Sequence, residues 1–274
     1  MRNRLQPSAA APALKLRSAQ AAEAGPFDEL AADLLRAKVD VIVVTGNTVI
    51  AAARTAARQT PIVMCPSLDP VGAGFVSSLR RPGGYLTGIN LQFDETTGKR
   101  LKRLREMRPK LVRVAFFSYD GPGVKAQLAA AQQAAEKLGL KLQVVELSAA
   151  DALPRAFDEA VKGRAEALFF PSGGFNSGLR VQIAALALQH RLPSMLPLPA
   201  GADAGCLMAY GPNDREFFRQ AAVFVDKLLK GTKPGDLPVE QPTRWELVIN
   251  LKTAKALGIR VPQTLLPQAE RVIE

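Results

Sequence analysis

Short polar turns that follow apolar stretches carry the residue types best suited to hold a small molecule. The first consists of Thr45, Gly46, Asn47 and Thr48 and follows the apolar run Val39–Val44. In parallel α/β proteins, ligands lie beyond the carboxyl ends of strands, where helix starts present unpaired N–H groups and a partial positive charge. This turn is therefore a candidate ligand site; alternatively, Thr45 or Asn47 only caps the following helix.

Seven further residues occupy comparable positions later in the chain. They are Ser67 and Asp69 after Pro61–Cys65, Ser118 and Tyr119 after Val112–Phe117, Ser172 and Gly173 after Ala167–Phe170, and Tyr210 at the end of Cys206–Tyr210. Asp69 precedes Pro70, which is also the pattern of a helix N-cap with proline at the first helical position. Tyr119 either stacks on an aromatic or apolar ligand or is an exposed turn tyrosine. Tyr210 either closes one wall of a cleft or packs within a hinge.

The residues that catalytic and metal sites need are sparse. Cys65 and Cys206 lie far apart in separate apolar runs, so buried thiols are the default expectation and a disulfide between them stays open. The single histidine, His190, precedes Leu192-Pro193 at the expected end of a helix, where a cation is favourable. With no phosphate-loop, dinucleotide-binding or nucleophile-elbow motif, we expect no enzyme activity, no metal and no cofactor.

Positive charge is the strongest compositional bias. The 274 residues carry a net charge of +11, and the densest basic stretch runs from Lys99 to Lys110. Leu101, Leu104 and Met107 recur within it at helical spacing, so its basic residues are predicted to form the solvated face of a helix. Neither a recognised motif nor interleaved aromatic residues accompany the charge, and we therefore expect no nucleic-acid binding. No apolar run approaches the roughly 20 residues that span a bilayer.

Apolar strands alternate with amphipathic helices from residue 28 onward, as in parallel βαβ units. Helices are predicted over 27–38, 47–59, 71–79, 95–107, 124–138, 152–162, 176–189 and 214–230, and strands or extended pieces over 39–44, 61–65, 86–89, 112–117, 141–147, 167–170, 194–196, 206–210 and 245–250. Two successive blocks predict an α/β protein with two doubly wound parallel-sheet lobes joined by hinge strands near residues 90, 210 and 240. Lobe 1 is assigned to 1–90 and 211–238, and lobe 2 to 91–210 and 239–274.

Several segments resemble one known family. They are Val39-Asp40-Val41-Ile42-Val43, Asp69-Pro70-Val71-Gly72-Ala73-Gly74 with Arg81-Pro82-Gly83-Gly84 and Thr87-Gly88, then residues 207–213 and 237–242, and the tail 246–258. Over nearly the whole chain from about residue 28, the sequence resembles the ABC-transporter substrate-binding proteins of the tryptophan and tyrosine transport type. The resemblance implies the two-lobed periplasmic-binding-protein type I fold.

The resemblance also implies a function. It implies the solute-binding component of an ABC importer, which captures a small molecule, with an amino acid as the favoured class, between closing lobes and delivers it to a membrane permease. It further implies a monomer in the periplasm or another extracytoplasmic place. The turn at residues 45–48 matches the family's small-residue turn, which receives a ligand carboxylate through backbone N–H groups and hydroxyls.

The chain departs from the family pattern at its beginning. Family members normally start with an export signal, followed by the first strand and helix of lobe 1, whereas Met1–Gly25 contains no apolar signal core. We expect a truncated start and a first lobe without its first strand and helix, in which Ala13–Ser18 is the second strand. Relatives often carry asparagine where this chain has Ser118 and Tyr119, which leaves the identity of the solute open.

Two other classes of function stay open as alternatives. The same fold serves as the effector-binding module of lactose-repressor-type regulators and of some receptors. Such proteins need a DNA-binding or membrane-signalling segment, and none is recognised in this sequence. The other alternative is an enzyme on a doubly wound scaffold, for which no catalytic motif is found.

Overall fold

The fold is described from a computed structural model that covers residues 27–57, 59–91, 94–121 and 123–274, without the side chains of residues 94, 95, 174–177 and 214. The helices are α1 Phe27–Arg36, α2 Asn47–Ala56, α3 Asp94–Met107, α4 Val124–Leu138, α5 Leu153–Lys162, α6 Gly174–Gln189, α7 Pro199–Asp203, α8 Asp214–Leu229 and α9 Leu251–Ala256. The strands are β1 Ile42–Val44, β2 Ile62–Leu68, β3 Leu86–Leu91, β4 Arg113–Tyr119, β5 Lys141–Leu147, β6 Ala167–Phe169, β7 Ser194–Leu196, β8 Met208–Gly211, β9 Glu246–Asn250 and β10 Arg271–Ile273.

Within the described residues, the smaller sheet has three parallel strands in the order β1-β2-β3. Alternate residues of β2 point to opposite faces, as the pleat of a strand requires. Ile62 and Met64 pack in one layer with residues of α2, while Val63 and Cys65 pack with residues of α8. Helices therefore cover both faces of this sheet, which explains why β2 is an almost continuous apolar run.

Seven strands form the larger sheet, in the order β10-β9-β8-β7-β6-β4-β5. Neighbouring strands are parallel except β8 and β9, which are antiparallel. Four fully buried phenylalanines lie at its centre: Phe116 stacks on Phe169 with ring centroids 5.7 Å apart, and Phe117 stacks on Phe170 at 4.5 Å. This aromatic layer holds β4 beside β6, so the turns that follow these two strands start from a rigid base.

The chain passes between the two sheets at three places. It leaves the smaller sheet after β3, returns from β8 into α8, which packs on β2 and β3, and then runs through residues 237–246 to β9. In this last segment the Glu240 N–H donates to the Gly88 carbonyl at 2.9 Å, and the Glu240 carbonyl accepts from the Asn90 N–H at 2.8 Å. The returning chain is thereby tied to β3.

The α/β class with parallel sheets, predicted from the alternation of apolar runs, is confirmed, and α4 and β5 have the predicted bounds. The antiparallel pairing of β8 with β9 was not predicted. The predicted helix Val71–Leu79 is wrong, because residues 70–74 form turns in which Pro70 accepts from the N–H groups of both Phe75 and Val76. Gly74, at φ 68°, opposes a helix there, and Phe75 and Val76 join the core instead.

One basic residue of α3 contradicts the prediction of a fully solvated basic face. Arg100 is 0% exposed, and its guanidinium carbon lies 4.4 Å from the centre of the Phe169 ring. It occupies the apolar stripe of the helix, four and seven residues before the buried Leu104 and Met107. Lys102, by contrast, is exposed as predicted. The position of Arg100 in the helical repeat therefore predicts burial, although its charge favours exposure to water.

The two cysteines are free thiols, and the described residues contain no disulfide. Both side chains are buried, and burial raises the pKa of Cys65 and of Cys206 to about 12. The thiols are therefore protonated and unreactive at neutral pH. His190 follows the last residue of α6, as predicted, with its ring 5.6 Å from that of Phe157.

The predictions for the start of the chain concern residues that the structure does not describe. Both Met1–Gly25 and the expected second strand Ala13–Ser18 lie outside the described ranges. Within those ranges β1 pairs with β2 alone. No helix in the described part is long and apolar enough to cross a membrane.

A carboxylate clamp joins the amino ends of β4 and β6. Glu166 accepts from the Val112 N–H at 2.8 Å and from the Arg113 guanidinium at 2.6 Å. Burial by itself raises the pKa of Glu166, but the Val112 and Arg113 N–H groups and the charges of Arg113 and Arg108 outweigh it, so the pKa lies below its ordinary value. The ionised carboxylate therefore stabilises the folded state.

Replacing this carboxylate should lower stability in a pH-dependent way. Because the folded-state pKa is depressed, the stabilisation is present above the unfolded pKa of about 4.3 and is lost as the pH falls through the folded value. We expect Glu166→Gln to reduce the free energy of unfolding by on the order of 1 kcal/mol at pH 7 and by less at lower pH, measured by urea denaturation. The control Glu216→Gln removes an exposed pair with Arg219 and should have almost no effect; equal losses would contradict the clamp.

Candidate functional site

The turn after β1 leads into α2 through Gly46, which is the N-cap residue and has no side chain to cap the helix. Gly46 has φ 85°, a conformation that favours glycine, and its N–H donates to the Pro66 carbonyl at 3.0 Å. Thr45 Oγ1 donates to the Cys65 carbonyl at 2.6 Å. The alternative that Thr45 or Asn47 caps α2 is therefore wrong, and the first turn of α2 has no N-cap side chain to bind its N–H groups.

The side chain of Asn47 binds the end of β2. Its Oδ1 accepts from the Leu68 N–H at 2.8 Å, and its Nδ2 donates to the Leu68 carbonyl at 2.7 Å. The same Oδ1 accepts from the fully buried Ser67 hydroxyl at 3.0 Å. A primary amide carries a donor and an acceptor side by side, as a peptide group does, so Asn47 extends the sheet by one surrogate residue. The polar atoms of Asn47 and Ser67 serve the fold, whereas Thr48 is exposed.

Asp69 serves a turn. It is exposed at φ 43°, its carboxylate accepts from the Gly72 N–H at 2.9 Å, and its carbonyl accepts from the Ala73 N–H at 2.9 Å. The predicted N-cap role before Pro70 is wrong, since no helix follows. Asp69 instead closes a single turn with its own carboxylate and carbonyl, so its polar groups bind nearby backbone.

The turn after β6 is bound by a second amide in the same manner. Gln127 of α4 accepts from the Ser172 N–H at 2.7 Å and donates to the Ser172 carbonyl at 3.1 Å. Ser172 is 1% exposed, and its hydroxyl makes no hydrogen bond within the described residues. Gly173 is the N-cap residue of α6 and likewise has no side chain to cap it. The buried Ser172 hydroxyl therefore lies just before α6 without a hydrogen bond from the described residues.

Tyr119 packs against this second turn. It ends β4, is 8% exposed and belongs to the core of the larger sheet, so the alternative of an exposed turn tyrosine is wrong. Its hydroxyl occupies the place that a Cβ on residue 173 would take, which is the reason Gly173 has no side chain. Ser118, one residue earlier, is also buried.

Tyr210 lies on β8 where the chain leaves the larger sheet. Its ring stacks on Trp245 with centroids 5.9 Å apart, and Trp245 directly precedes β9. Burial raises the pKa of Tyr210, with the charge of Arg103 opposing this and that of Glu270 adding to it. The aromatic pair therefore joins two of the three crossing segments.

The structure groups the predicted residues by sheet. Thr45, Asn47 and Ser67 surround the carboxyl ends of β1 and β2, whereas Tyr119, Ser172 and Gly173 surround those of β4 and β6. A groove of about 1000 Å³ between the first half of α8 and residues 240–246 is lined by none of the predicted residues. The two strand-end groups fit the position at which α/β sheets hold ligands better than this groove does.

Three residues near these strand ends were not predicted from the sequence. Gln127 and Arg100 lie on helices and support Ser172 and Phe170, and the buried Asn90 of β3 has an Oδ1 without a hydrogen bond inside the described ranges. Arg100 could have been found from its place in an apolar stripe, and Asn90 from its place inside an apolar strand. Gln127 gives the same signal as Arg100, because it lies three residues after Val124 and four before Ala131, which are both buried on α4.

Residues 14–273 match the model of the ABC transporter substrate binding protein family, and the chain belongs to this family. The resemblance predicted from the sequence is therefore confirmed. The family comprises substrate-binding proteins rather than enzymes.

Individual relatives are distant. The tyrosine-binding protein of Clostridioides difficile is 24% identical over 234 residues, which are 84% of this chain and 66%, just under two thirds, of that protein. The ABC domain in complex with L-Trp from Streptococcus pneumoniae is 22% identical with a TM-score of 0.81, covering 90% of this chain and 83% of that one. A conserved domain protein from Vibrio cholerae is 22% identical with a TM-score of 0.82, covering 90% and 82%. These likenesses confirm the periplasmic-binding-protein type I-like fold.

Loss of the Asn47 side chain should destabilise the smaller sheet. In Asn47→Ala, the Leu68 N–H and carbonyl and the Ser67 hydroxyl lose their partner, at a cost of about 1–3 kcal/mol in the free energy of unfolding. The control Thr48→Ala removes an exposed hydroxyl on the next residue and should change it by less than about 0.5 kcal/mol. Urea denaturation of both variants checks this, and a loss that is no larger for Asn47→Ala would rule out the proposed support of β2.

Proposed function

We propose that the chain is the solute-binding component of an ABC importer and that its solute is an amino acid. The observation that carries this proposal is the family match over residues 14–273. Two similar proteins, the tyrosine-binding protein and the domain in complex with L-Trp, support an aromatic amino acid as the first candidate. In this proposal the chain acts as an extracytoplasmic monomer, delivers its solute to a membrane permease, and neither catalyses a reaction nor binds nucleic acid.

The proposed binding place is a cleft between lobe 1, residues 1–90 and 211–238, and lobe 2, residues 91–210 and 239–274. Two features support it: separate sheets with polar turns at their carboxyl ends, and three chain crossings between these sheets. Capture by closure requires a ligand that contacts both lobes, because only then does it bind the closed form better than the open one.

The two strand-end groups would contribute different bonds. On the lobe 1 side, the uncapped first turn of α2 offers N–H groups to a carboxylate, beside the exposed Thr48 hydroxyl. On the lobe 2 side, Ser172 offers a hydroxyl that has no partner within the described residues. A buried hydroxyl without a partner is unfavourable, so a bond to the ligand would relieve a penalty already present in the free protein.

Binding of L-tyrosine should change the fluorescence of the protein and raise its stability. Trp245 is the single tryptophan and stacks on Tyr210 between two crossing segments, so lobe closure should alter its emission. We expect a saturable change under selective tryptophan excitation, and stabilisation of about 2.7 kcal/mol at a ligand concentration 100 times Kd, measured by thermal unfolding. L-tryptophan is tested by thermal unfolding alone.

Two controls define this test. Trp245→Phe should lose the optical signal and keep the thermal shift, and D-tyrosine should bind more weakly than the L form. The proposal would be contradicted if the protein unfolds cooperatively but no amino acid, short carboxylate, purine or sugar shifts the midpoint of thermal unfolding.

Ser172→Ala separates binding from stability. Because the hydroxyl has no partner within the described residues, its loss should change the free energy of unfolding by less than about 0.5 kcal/mol while weakening L-tyrosine binding about tenfold. The matched control is Ser194→Ala, another buried serine, whose hydroxyl accepts from the Leu207 N–H at the amino end of β7. Ser194→Ala should lower stability and leave the affinity unchanged. Titration calorimetry measures the affinity, and urea denaturation measures the stability. If Ser172→Ala instead lowered stability and left the affinity unchanged, Ser172 would not belong to the site.

A further inference from the structure

The turn from Phe170 to Gly173 is held by three separate elements. Arg100 of α3 donates to the Phe170 carbonyl at 2.8 Å, Gln127 of α4 pairs with both backbone groups of Ser172, and Tyr119 of β4 packs on Gly173. Both Arg100 and Gln127 are almost completely buried. Burial of such polar groups is costly unless they are hydrogen-bonded, and here their hydrogen bonds are directed at this turn.

Gln127 is chemically specific for its place. Its amide must accept from the Ser172 N–H and donate to the Ser172 carbonyl at the same time. A carboxylate of the same size can accept but has no donor, and an apolar chain can do neither. The primary amide of Gln127 carries both groups side by side and so fixes the direction in which the peptide groups around residue 172 point.

Arg100 supports Gln127 as well as the turn. Its guanidinium donates to Gln127 Oε1 at 3.3 Å, to Thr97 Oγ1 at 3.4 Å and to the Phe170 carbonyl, and it lies over the Phe169 ring. Burial lowers the pKa of Arg100 to about 9, with Tyr119 opposing this, so the side chain stays charged at neutral pH. An apolar residue of similar size would bury no charge, but it would leave the Phe170 carbonyl and Gln127 Oε1 without this donor, so the cost of burying the arginine is linked to the groups that it holds in place.

We propose that Gln127 and Arg100 are positioning residues for solute binding, which hold the turn 170–173 so that the Ser172 hydroxyl and the first turn of α6 face the solute. This inference rests on the proposed function, and it extends the site to two residues that do not themselves touch the solute. Their support is directed at the carboxyl end of β6, whereas the Glu166 clamp serves the amino ends of β4 and β6.

The position of the network distinguishes this role from general support of the fold. Both the Glu166 clamp and the Gln127 network consist of polar side chains that bind backbone groups of the larger sheet. Only the second lies beside the unused hydroxyl and the start of α6. Loss of the Glu166 clamp should therefore lower stability without changing the affinity for the solute. Loss of the Gln127 network should lower the affinity of the folded protein as well as its stability.

The test compares Gln127→Met, Gln127→Glu, Arg100→Met and Arg100→Lys with the control Glu166→Gln in the full chain. Three quantities are measured: the affinity for L-tyrosine, the free energy of unfolding, and amide hydrogen exchange at residues 171–173 without ligand. We expect Gln127→Met to weaken binding about tenfold and to speed exchange at the Ser172 N–H by at least about tenfold. Arg100→Met should weaken binding by a similar factor and should also lower stability, because the buried Phe170 carbonyl loses its donor.

The conservative variants keep the proposal testable if Gln127→Met does not fold. Gln127→Glu retains the acceptor for the Ser172 N–H and should weaken binding less, and Arg100→Lys should restore part of what Arg100→Met loses. Glu166→Gln should lower stability while its affinity stays within about twofold of the unchanged protein.

Two results would overturn the inference: affinities of the folded Gln127 and Arg100 variants within about twofold of the unchanged protein, or unaltered exchange at Ser172 in the Gln127 variants. If the unchanged protein binds no solute at all, the proposed function fails and with it the role in solute binding. The exchange measurement then still decides whether Gln127 holds the turn, so the two failures can be told apart.

Discussion

The backbone just beyond a buried strand poses the constraint on which the site depends. At the last residue of a strand or in the turn after it, N–H and carbonyl groups no longer face a neighbouring strand on one side, so they need other partners. Both sheets meet this need with a primary amide: Asn47 pairs with both groups of Leu68, and Gln127 with both groups of Ser172. Each amide continues its sheet by one residue and so determines where the next turn lies.

The two sheets are joined by chain that is distant in sequence. The smaller sheet is covered on one face by α8, and the segment after α8 binds β3 through Glu240. Thr87 donates to the Leu237 carbonyl at 2.8 Å across 150 positions of sequence. A sheet of three strands thus depends on residues near the end of the chain, and its folding requires contacts of long sequence separation, which form slowly. Within the described residues, these crossings are the only covalent connections between the two sheets. A closing motion between the sheets would bend them.

Polar groups at the two ends of the larger sheet have different consequences. Glu166, which directly precedes β6, satisfies backbone N–H groups at the amino end of β4. At the carboxyl ends, Gln127 and Arg100 satisfy the backbone but leave the Ser172 hydroxyl without a partner within the described residues. A buried polar group without a hydrogen bond lowers stability. Local rules of this kind are violated mainly at functional sites. Solved structures at 22% identity share this fold, but a shared fold does not by itself determine what a protein binds.

The sequence by itself determined the α/β class, the order and approximate bounds of most elements, the family, and the strand ends at which polar turns occur, because these follow from local periodicity and from short motifs. It failed at Val71–Leu79, where turns and core packing outweighed an apparent helical pattern. It could not assign roles within the turns. Whether Asn47 caps α2 or supports β2, whether Tyr119 is exposed or buried, and whether Arg100 faces water or Phe169 all depend on partners 20 to 70 positions away. Only the tertiary structure decided these, since hydrogen bonding and burial are settled by which elements pack together and not by the residue's own neighbours in sequence.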